Sequence, residues 1–218
     1  MTRRALLLLA VLLAARHAIG GELAGRVNLS ELHDGQPRAL DDHSNAVIFV
    51  GGFQEPPPAG RSPALVQQNK TFLPRILTVI QGESVRFPNM DTIYHNVWSQ
   101  SRTKTFDLGL YKYPDVKSVV FDQPGFVTVF CNIHPQMIAT VLVLPNTKST
   151  VTNAAGTYRI ENIPPGEWPV YAWVEGATPV KLMVTFKPEG IVTQDFKLTL
   201  NHISVRHLNK EGKPYQNY

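Results

Sequence analysis

The feature that most constrains this sequence is a short motif, Cys-x-x-His-x-x-Met, formed by Cys131, His134 and Met137. A thiolate, an imidazole and a thioether, together with a second imidazole, make up the ligand set of a copper site that transfers electrons. His95, in an earlier apolar stretch, supplies that second imidazole. The motif therefore predicts one copper ion held by four side chains from two distant stretches of the chain.

The residues on either side of the motif have the pattern of β-strands. In the strand before it, Val127, Val129 and Cys131 lie on one face, because successive side chains of a strand point to opposite sides. Cys131 therefore points in the same direction as two β-branched residues, toward a core. The apolar segment 138–144 predicts the next strand, which draws Met137 back beneath the site.

The composition of the whole chain favours an all-β protein. Seventeen prolines and fifteen glycines interrupt its 218 residues, and no long helical period is present. Hydrophobic residues make up 43%, enough for a sizeable core, and charged residues only 17%, which is low for a disordered chain. Cys131 is the single cysteine, so no disulfide can form within the chain, and metal ligation gives its thiol a role.

The first twenty residues have the composition of a secretory signal peptide. Arg3 and Arg4 precede the apolar run 5–15, and small residues follow at 18–20. The run is too short to span a bilayer, so we expect a periplasmic or secreted protein without a transmembrane helix after cleavage. Cleavage also removes Arg16, so the formal charge of +4 falls by three arginines to +1. We expect no nucleic-acid partner.

Proline-rich and polar stretches divide the chain. Three consecutive prolines in the stretch 53–64 predict a stiff linker. The apolar stretch 106–111 is predicted to be a loop without an assigned role. The predicted segments are a signal peptide at 1–20, N-terminal strands at 22–52, the linker at 53–64, a copper domain at 65–145, a second sandwich at 146–200 and a polar, solvated tail at 201–218.

Around the proposed ligands the sequence resembles the cupredoxins, the small blue copper proteins. The resemblance is carried by Phe87-x-Asn89, His95-Asn96-Val97, Pro124-Gly125 and the loop from Cys131 to Met137. A proline follows the loop histidine, so the short ligand loop is similar to that of amicyanins, among cupredoxins of the methylamine-utilisation type. The resemblance implies a Greek-key sandwich with one type 1 copper ion at one end, bound by His95, Cys131, His134 and Met137.

The same resemblance implies a role for Asn96. Its side chain is expected to hydrogen-bond across to the ligand loop and so to hold the two ligand segments together. Asn132 departs from the pattern, because relatives often have a small hydroxyl residue there.

The segment after the copper domain resembles the carboxypeptidase regulatory-like, or transthyretin-like, sandwiches, which are classed with carbohydrate-binding-like folds. The stretches 152–160 and 163–168 and the apolar strand 170–174 carry this resemblance. Such sandwiches begin with a Gly-x-Val strand and a further apolar strand, which this chain has at 25–27 and 46–50, before the copper domain. We therefore expect a discontinuous second sandwich into which the copper domain is inserted.

These inferences together predict an exported protein that binds one copper ion and carries single electrons, and that is not an enzyme. The resemblance to amicyanins implies a redox protein partner, such as a quinoprotein dehydrogenase or a c-type cytochrome. The resemblance also implies that the edge of His134 is exposed within an apolar patch, which Ile133, Pro135, Met90 and Ile93 could form here. We expect the partner to dock there, because a small apolar contact suits a transient encounter.

Other functions stay open at this point. One is periplasmic copper storage or delivery, and another is a structural or glycan-binding module with an aromatic platform of Tyr158, Trp168, Tyr171 and Trp173. Zinc fits less well than copper, because thioether sulfur is not among its usual ligands. A catalytic Cys-His pair also fits less well, because no orienting group or oxyanion hole is evident near the motif.

Overall fold

The computed structural model of the protein describes residues 20–201 and 208–215, and the regular elements within these ranges are β-strands. The first strands are β1 (Gly21–His33), β2 (Gln36–Ala39) and β3 (Val47–Val50). The copper domain contributes β4 (Val66–Gln68), β5 (Thr71–Leu73), β6 (Ile76–Ile80), β7 (Ser84–Pro88), β8 (His95–Ser101), β9 (Lys104–Tyr111), β10 (Val116–Val120), β11 (Gly125–Phe130) and β12 (Ile138–Leu144). The remaining strands are β13 (Ser149–Val151), β14 (Thr157–Ile163), β15 (Gly166–Trp173), β16 (Val180–Phe186), β17 (Ile191–Thr193) and β18 (Phe196–Leu200).

The predicted all-β class is confirmed by these strands. The predicted signal peptide lies outside the described residues, apart from Gly20 at its end. Within the described ranges, we find no helix with the length and hydrophobicity needed to cross a bilayer.

The copper domain is a Greek-key sandwich of two sheets, as expected. One sheet has the order β6-β12-β11-β8-β9, with β6 and β12 parallel and the other neighbours antiparallel. In the facing sheet, β7 pairs with β10. Alternate residues of β7 and β11 meet between the sheets, where Val85, Phe87, Val127 and Val129 are completely buried. This is the face that the alternation of apolar residues predicts for β11.

The strands before and after the copper domain together form the second sandwich. β1 pairs antiparallel with β14 and parallel with β17 and β18, while β3 pairs with β13 and β15, and β15 with β16. Its core combines side chains from both parts of the sequence, since Leu23 and Ile48 belong to the same buried cluster as Ile160, Val170 and Phe196. The second sandwich is therefore discontinuous, and the copper domain lies between β3 and β13.

A third apolar cluster joins the two sandwiches. Ile80 and Leu142 of the copper domain share this cluster with Val47 and Trp173 of the second sandwich. The ring of Trp173 also lies 4.7 Å from that of Phe126 on β11. The two sandwiches are therefore packed against each other as well as connected by the chain.

The stretch 106–111, predicted to be a loop, is part of strand β9. β9 pairs with β8, so that His95 lies opposite Tyr111. The register of this pair shifts between Asn96 and Trp98. Such an irregularity interrupts the simple alternation of apolar and polar residues by which a strand is recognised in a sequence.

The four aromatic residues considered for a glycan platform do not share one exposed surface. Tyr158 and Trp173 are buried, Tyr171 stacks on Phe49 at 4.8 Å, and Trp168 packs against the core of the second sandwich. Because these side chains pack against other residues of the protein, we interpret them as structural residues.

The discontinuous core predicts an asymmetry along strand β1. Leu23→Ala should lower the free energy of unfolding by about 2–5 kcal/mol, because a completely buried leucine is replaced by a cavity. Leu32→Ala, a matched change on the same strand where the side chain is 37% exposed, should cost much less. Urea unfolding of both variants measures the difference. Equal small losses would mean that β1 is not part of the packed core.

Candidate metal centre

The sandwich brings the predicted ligands together from two parts of the sequence. His95 is the first residue of β8, and Cys131 directly follows the last residue of β11. Because β8 and β11 are antiparallel neighbours, the start of one lies beside the end of the other. The loop from β11 to β12 carries His134 and Met137.

Two main-chain hydrogen bonds fold the ligand loop back on itself. The amide of Cys131 donates to the carbonyl oxygen of Met137 at 3.2 Å, and the amide of Met137 donates to the carbonyl oxygen of His134 at 3.0 Å. The side chains of Cys131 and Met137 are completely buried in the core of the copper domain, whereas His134 is half-buried. The loop thus turns two sulfur-bearing side chains inward and leaves one imidazole near the surface.

Three donor atoms converge at this end of the sandwich. Nδ1 of His95 lies 3.0 Å from Nδ1 of His134, and Sγ of Cys131 lies 3.7 Å from the same His134 nitrogen. All three atoms lie within 4.8 Å of one another, and no other group of three potential ligands is found in the described ranges. One ion with metal–nitrogen distances of about 2.0 Å can lie among them.

The donor set fits copper. The buried thiol of Cys131 has two imidazoles beside it, and Met137 shares its buried cluster. Thiolate and thioether sulfur favour copper, and thioether is not among the usual ligands of zinc. His95, Cys131 and His134 are therefore placed as one metal site would require, and Met137 lies in the same buried cluster as Cys131.

A carboxylate holds the outer side of His95. Oδ2 of Asp91 lies 2.7 Å from Nε2 of His95, and the amides of Asn69 and Lys70 donate to the same carboxylate at 2.8 and 3.0 Å. A proton on Nε2 that is shared with Asp91 leaves Nδ1 as the lone-pair donor that faces His134. Asp91 was not among the predicted site residues, although its position four residues before His95 is a signal that could have identified it.

The charge states at the site suit metal binding. Burial acts to raise the pKa of Asp91, but hydrogen bonds from the Lys70 amide, His95 and the Asn69 amide outweigh it, so the pKa is lowered. Burial lowers the pKa of His134, and electrostatic interactions with the neighbouring His95 and Lys70 lower it further. Asp91 is therefore a carboxylate at neutral pH, and His134 favours the neutral imidazole that binds metals.

Asn96 does not have its expected partner. Its amide nitrogen donates to Oδ1 of Asp107 on β9 at 2.7 Å, and its buried Oδ1 has no hydrogen-bond partner within the described ranges. The expectation that Asn96 bonds directly to the ligand loop is therefore wrong. The pairing of β8 with β9 is irregular between Asn96 and Trp98, and at this point the Asn96 side chain bonds to β9 instead of to the ligand loop.

The end of the chain also departs from its prediction as a solvated tail. We call residues 208–215 the tail segment. The hydroxyl of Tyr215 donates to the carbonyl oxygen of Cys131 at 2.8 Å, and the amide of Lys210 donates to Oδ1 of Asn132 at 2.8 Å. These contacts bring the polar tail segment onto the ligand loop. A polar composition carries no signal for such contacts, because the same residues also suit a solvated chain.

The residues predicted for partner docking differ in exposure. Pro135 is exposed beside His134, whereas Ile133 is half-buried and packs against the core of the copper domain. Met90 and Ile93, in the segment leading to His95, are 50% and 40% exposed. Apolar side chains are thus exposed on both segments that carry ligands.

Comparison with known proteins gives structural similarity only. No family model matches the chain, and no sequence of a curated protein matches it. Among solved structures, it is similar to a purple cupredoxin from Nitrosopumilus maritimus, with 21% identity and a TM-score of 0.34 over 38% of this chain and 99% of that chain. An amicyanin variant in the Cu(I) form matches with 18% identity and a TM-score of 0.36, over 44% and 97% of the two chains.

A copper-containing nitrite reductase from Thermus scotoductus is also similar. It has 18% identity and a TM-score of 0.37, over 53% of this chain and 28% of that chain. Because these TM-scores are low, we base the assignment of the fold on the strand pairing of this chain.

The bond between Asp91 and His95 generates a test of the site. Asp91→Ala should weaken copper binding by roughly 10- to 100-fold, because His95 loses the group that orients its ring. Asp115→Ala, which removes an exposed carboxylate from the copper domain, is the matched control and should leave the affinity unchanged. Competition with a copper chelator measures both affinities. Equal affinities in the two variants would contradict a role for Asp91.

Proposed function

We propose that this protein carries single electrons through one type 1 copper ion held by His95, Cys131, His134 and Met137. The observation that supports the proposal is the convergence of one sulfur and two imidazole nitrogens within 4.8 Å. This donor set, with a weak axial thioether, is the one that type 1 sites use. When bound, copper supplies one-electron chemistry between Cu(I) and Cu(II).

The residues of the chain keep the ligands in one arrangement. Main-chain bonds hold Cys131 and Met137 on the loop, and Asp91 orients His95. His95 and Cys131 are completely buried, so water has no access to these two ligands. A preorganised site of this kind requires little rearrangement when its charge changes by one.

We further propose that the protein is not an enzyme. Catalytic zinc sites keep one coordination position open for water or substrate. The four ligands proposed here, three of them buried, would leave a bound copper ion without such an open position.

We propose that the protein is exported to the periplasm or secreted, and that its partner is a redox protein such as a quinoprotein dehydrogenase or a c-type cytochrome. The signal-like composition of residues 1–20 supports export. The exposed Pro135 beside the half-buried His134 supports a docking surface at this end.

We also propose that the second sandwich is of the carboxypeptidase regulatory-like, or transthyretin-like, kind. Its first strand contains the Gly-x-Val sequence at 25–27, and that strand pairs with β14 after the copper domain. No ligand of this sandwich is part of the proposal.

The thiolate ligand predicts a visible spectrum. Copper-loaded protein should have a strong thiolate-to-copper absorption band, and Cys131→Ser should abolish it, because the thiolate makes the strong bond to copper. Met137→Leu should keep the copper and raise the reduction potential, because the site would lose a thioether that is a weak donor to Cu(II). Absorption spectra and redox titration measure both. An unchanged band in Cys131→Ser would contradict the ligand assignment, and a colourless, labile Cu(I) site would favour storage or delivery.

The proposed docking surface predicts a change in rate without a change in the copper site. Pro135→Glu should slow electron exchange with a small c-type cytochrome by about tenfold, because the new charge has to be desolvated on docking. Pro58→Glu adds the same charge at an exposed proline of the linker and is the control. Stopped-flow kinetics measure the rates, and visible spectra verify the site. Equal rates in both variants would place the docking surface elsewhere.

A further inference from the structure

The tail segment has a defined conformation of its own. Oδ1 of Asn209 accepts hydrogen bonds from the amides of Glu211 and Lys213 at 3.1 and 2.8 Å, and the amide of Asn209 donates to the carbonyl oxygen of Lys213 at 2.9 Å. Gly212 has a φ of +73°, a conformation that glycine adopts readily. These bonds make a compact turn, so the residues at either end of it can be held in fixed positions.

The tail segment contacts two consecutive residues of the ligand loop. Tyr215 donates its hydroxyl hydrogen to the carbonyl oxygen of Cys131, the sulfur ligand itself. Asn132, the next residue, accepts from the amide of Lys210 through Oδ1 and donates to Oε2 of Glu211 at 3.3 Å through Nδ2. An asparagine side chain offers an acceptor and a donor on separate atoms, which matches these two partners. This gives a physical reason for the asparagine at a position where relatives often have a small hydroxyl residue.

The tail segment is also connected to the other ligand segment. Nζ of Lys210 donates to Oδ2 of Asp107 at 2.7 Å, and Oδ1 of Asp107 accepts from Nδ2 of Asn96 at 2.7 Å. Asn96 directly follows the ligand His95. A continuous series of hydrogen bonds therefore runs from Asn96 through Asp107 and Lys210 to Asn132, the last of them through the backbone amide of Lys210, and it replaces the direct bond that the sequence predicted.

We propose that the tail segment is an intramolecular clip that positions the copper ligands Cys131 and His95. Tyr215, Asn132 and Lys210 are its positioning residues, and they act through the ligand loop and through Asp107 without touching the metal. The effect on copper rests on the proposed function, whereas the effect on the conformation of the loop does not. The clip holds both ligand segments from outside the sandwich.

Two variants of the full-length protein test the contact with the ligand loop. Tyr215→Phe removes one hydroxyl and keeps the ring, and Asn132→Ala removes both bonds of that side chain. Hydrogen exchange of the copper-free protein, followed at the amides of Cys131 and Met137, should become about fivefold faster for each lost bond. Tyr113→Phe is the matched control, because Tyr113 is an exposed tyrosine of the same domain whose hydroxyl makes no hydrogen bond within the described ranges.

The copper-loaded protein provides a second readout, in which the spectra report the geometry of the ligands and the transfer rate reports how firmly they hold copper. In Tyr215→Phe and Asn132→Ala, the thiolate-to-copper band and the electron paramagnetic resonance parameters should shift, and transfer of Cu(I) to a chelator should be about fivefold faster. Tyr113→Phe should retain the values of the parent protein. The proposal would be overturned if Tyr215→Phe and Asn132→Ala both had the same hydrogen-exchange rates in the ligand loop and the same spectra as the parent protein.

The contact with Asp107 has its own pair of variants. Lys210→Met removes the ammonium group and keeps the backbone amide that Asn132 uses, and Lys213→Met is the control on the exposed side of the turn. If amide hydrogen exchange in the segment that begins at His95 becomes faster in Lys210→Met but not in Lys213→Met, the result supports the clip. Equal exchange rates in the two variants would contradict this part of the proposal. If the copper-loaded parent protein had no visible absorption band, the proposed electron transfer would be contradicted. Hydrogen exchange of the copper-free protein would still decide whether the clip exists.

Discussion

The meeting of one thiol sulfur and two imidazole nitrogens within 4.8 Å is the constraint on which the rest of this structure depends. His95 and Cys131 are completely buried, where water cannot solvate their polar atoms, and burial of a polar group costs free energy unless that group is hydrogen-bonded or binds a metal. The arrangement therefore requires a scaffold that holds each ligand separately. The antiparallel neighbours β8 and β11 provide it, because the start of β8 lies beside the end of β11 at one edge of the sandwich.

Each ligand is held by a different kind of interaction. The alternation of strand β11 places Cys131 in the core, and the main-chain bond from its amide holds Met137 beneath the loop. Asp91 orients His95 from the opposite side of its ring. His134 is the half-buried member of the set, and it lies between Ile133 and Pro135, at the side where exchange with a partner is proposed.

The insertion of the copper domain is stabilised at the point where the chain enters and leaves it. The amide of Glu55, shortly after β3, donates to the carbonyl oxygen of Pro145, directly after β12, at 2.9 Å. Nδ2 of Asn146 donates to the carbonyl oxygens of Val50 and Phe53. Ends that are held together in this way allow a complete domain to be inserted without separating the strands of its host. The apolar contact around Trp173 then fixes the two sandwiches against each other.

The sequence by itself determined the all-β class, the inward face of β11, the four candidate ligands and the split origin of the second sandwich. Alternation along a strand and the short spacing from Cys131 to Met137 are properties of neighbouring residues, whereas His95 was predicted from the ligand set of copper and the split sandwich from a resemblance to a known fold. Only the tertiary structure decided the partner of Asn96, the role of Asp91 as the group that orients His95, and the contact of Tyr215 with Cys131. Polar side chains have many possible partners at similar cost, so the partner that each one bonds depends on which distant strands and turns the fold brings within hydrogen-bond distance.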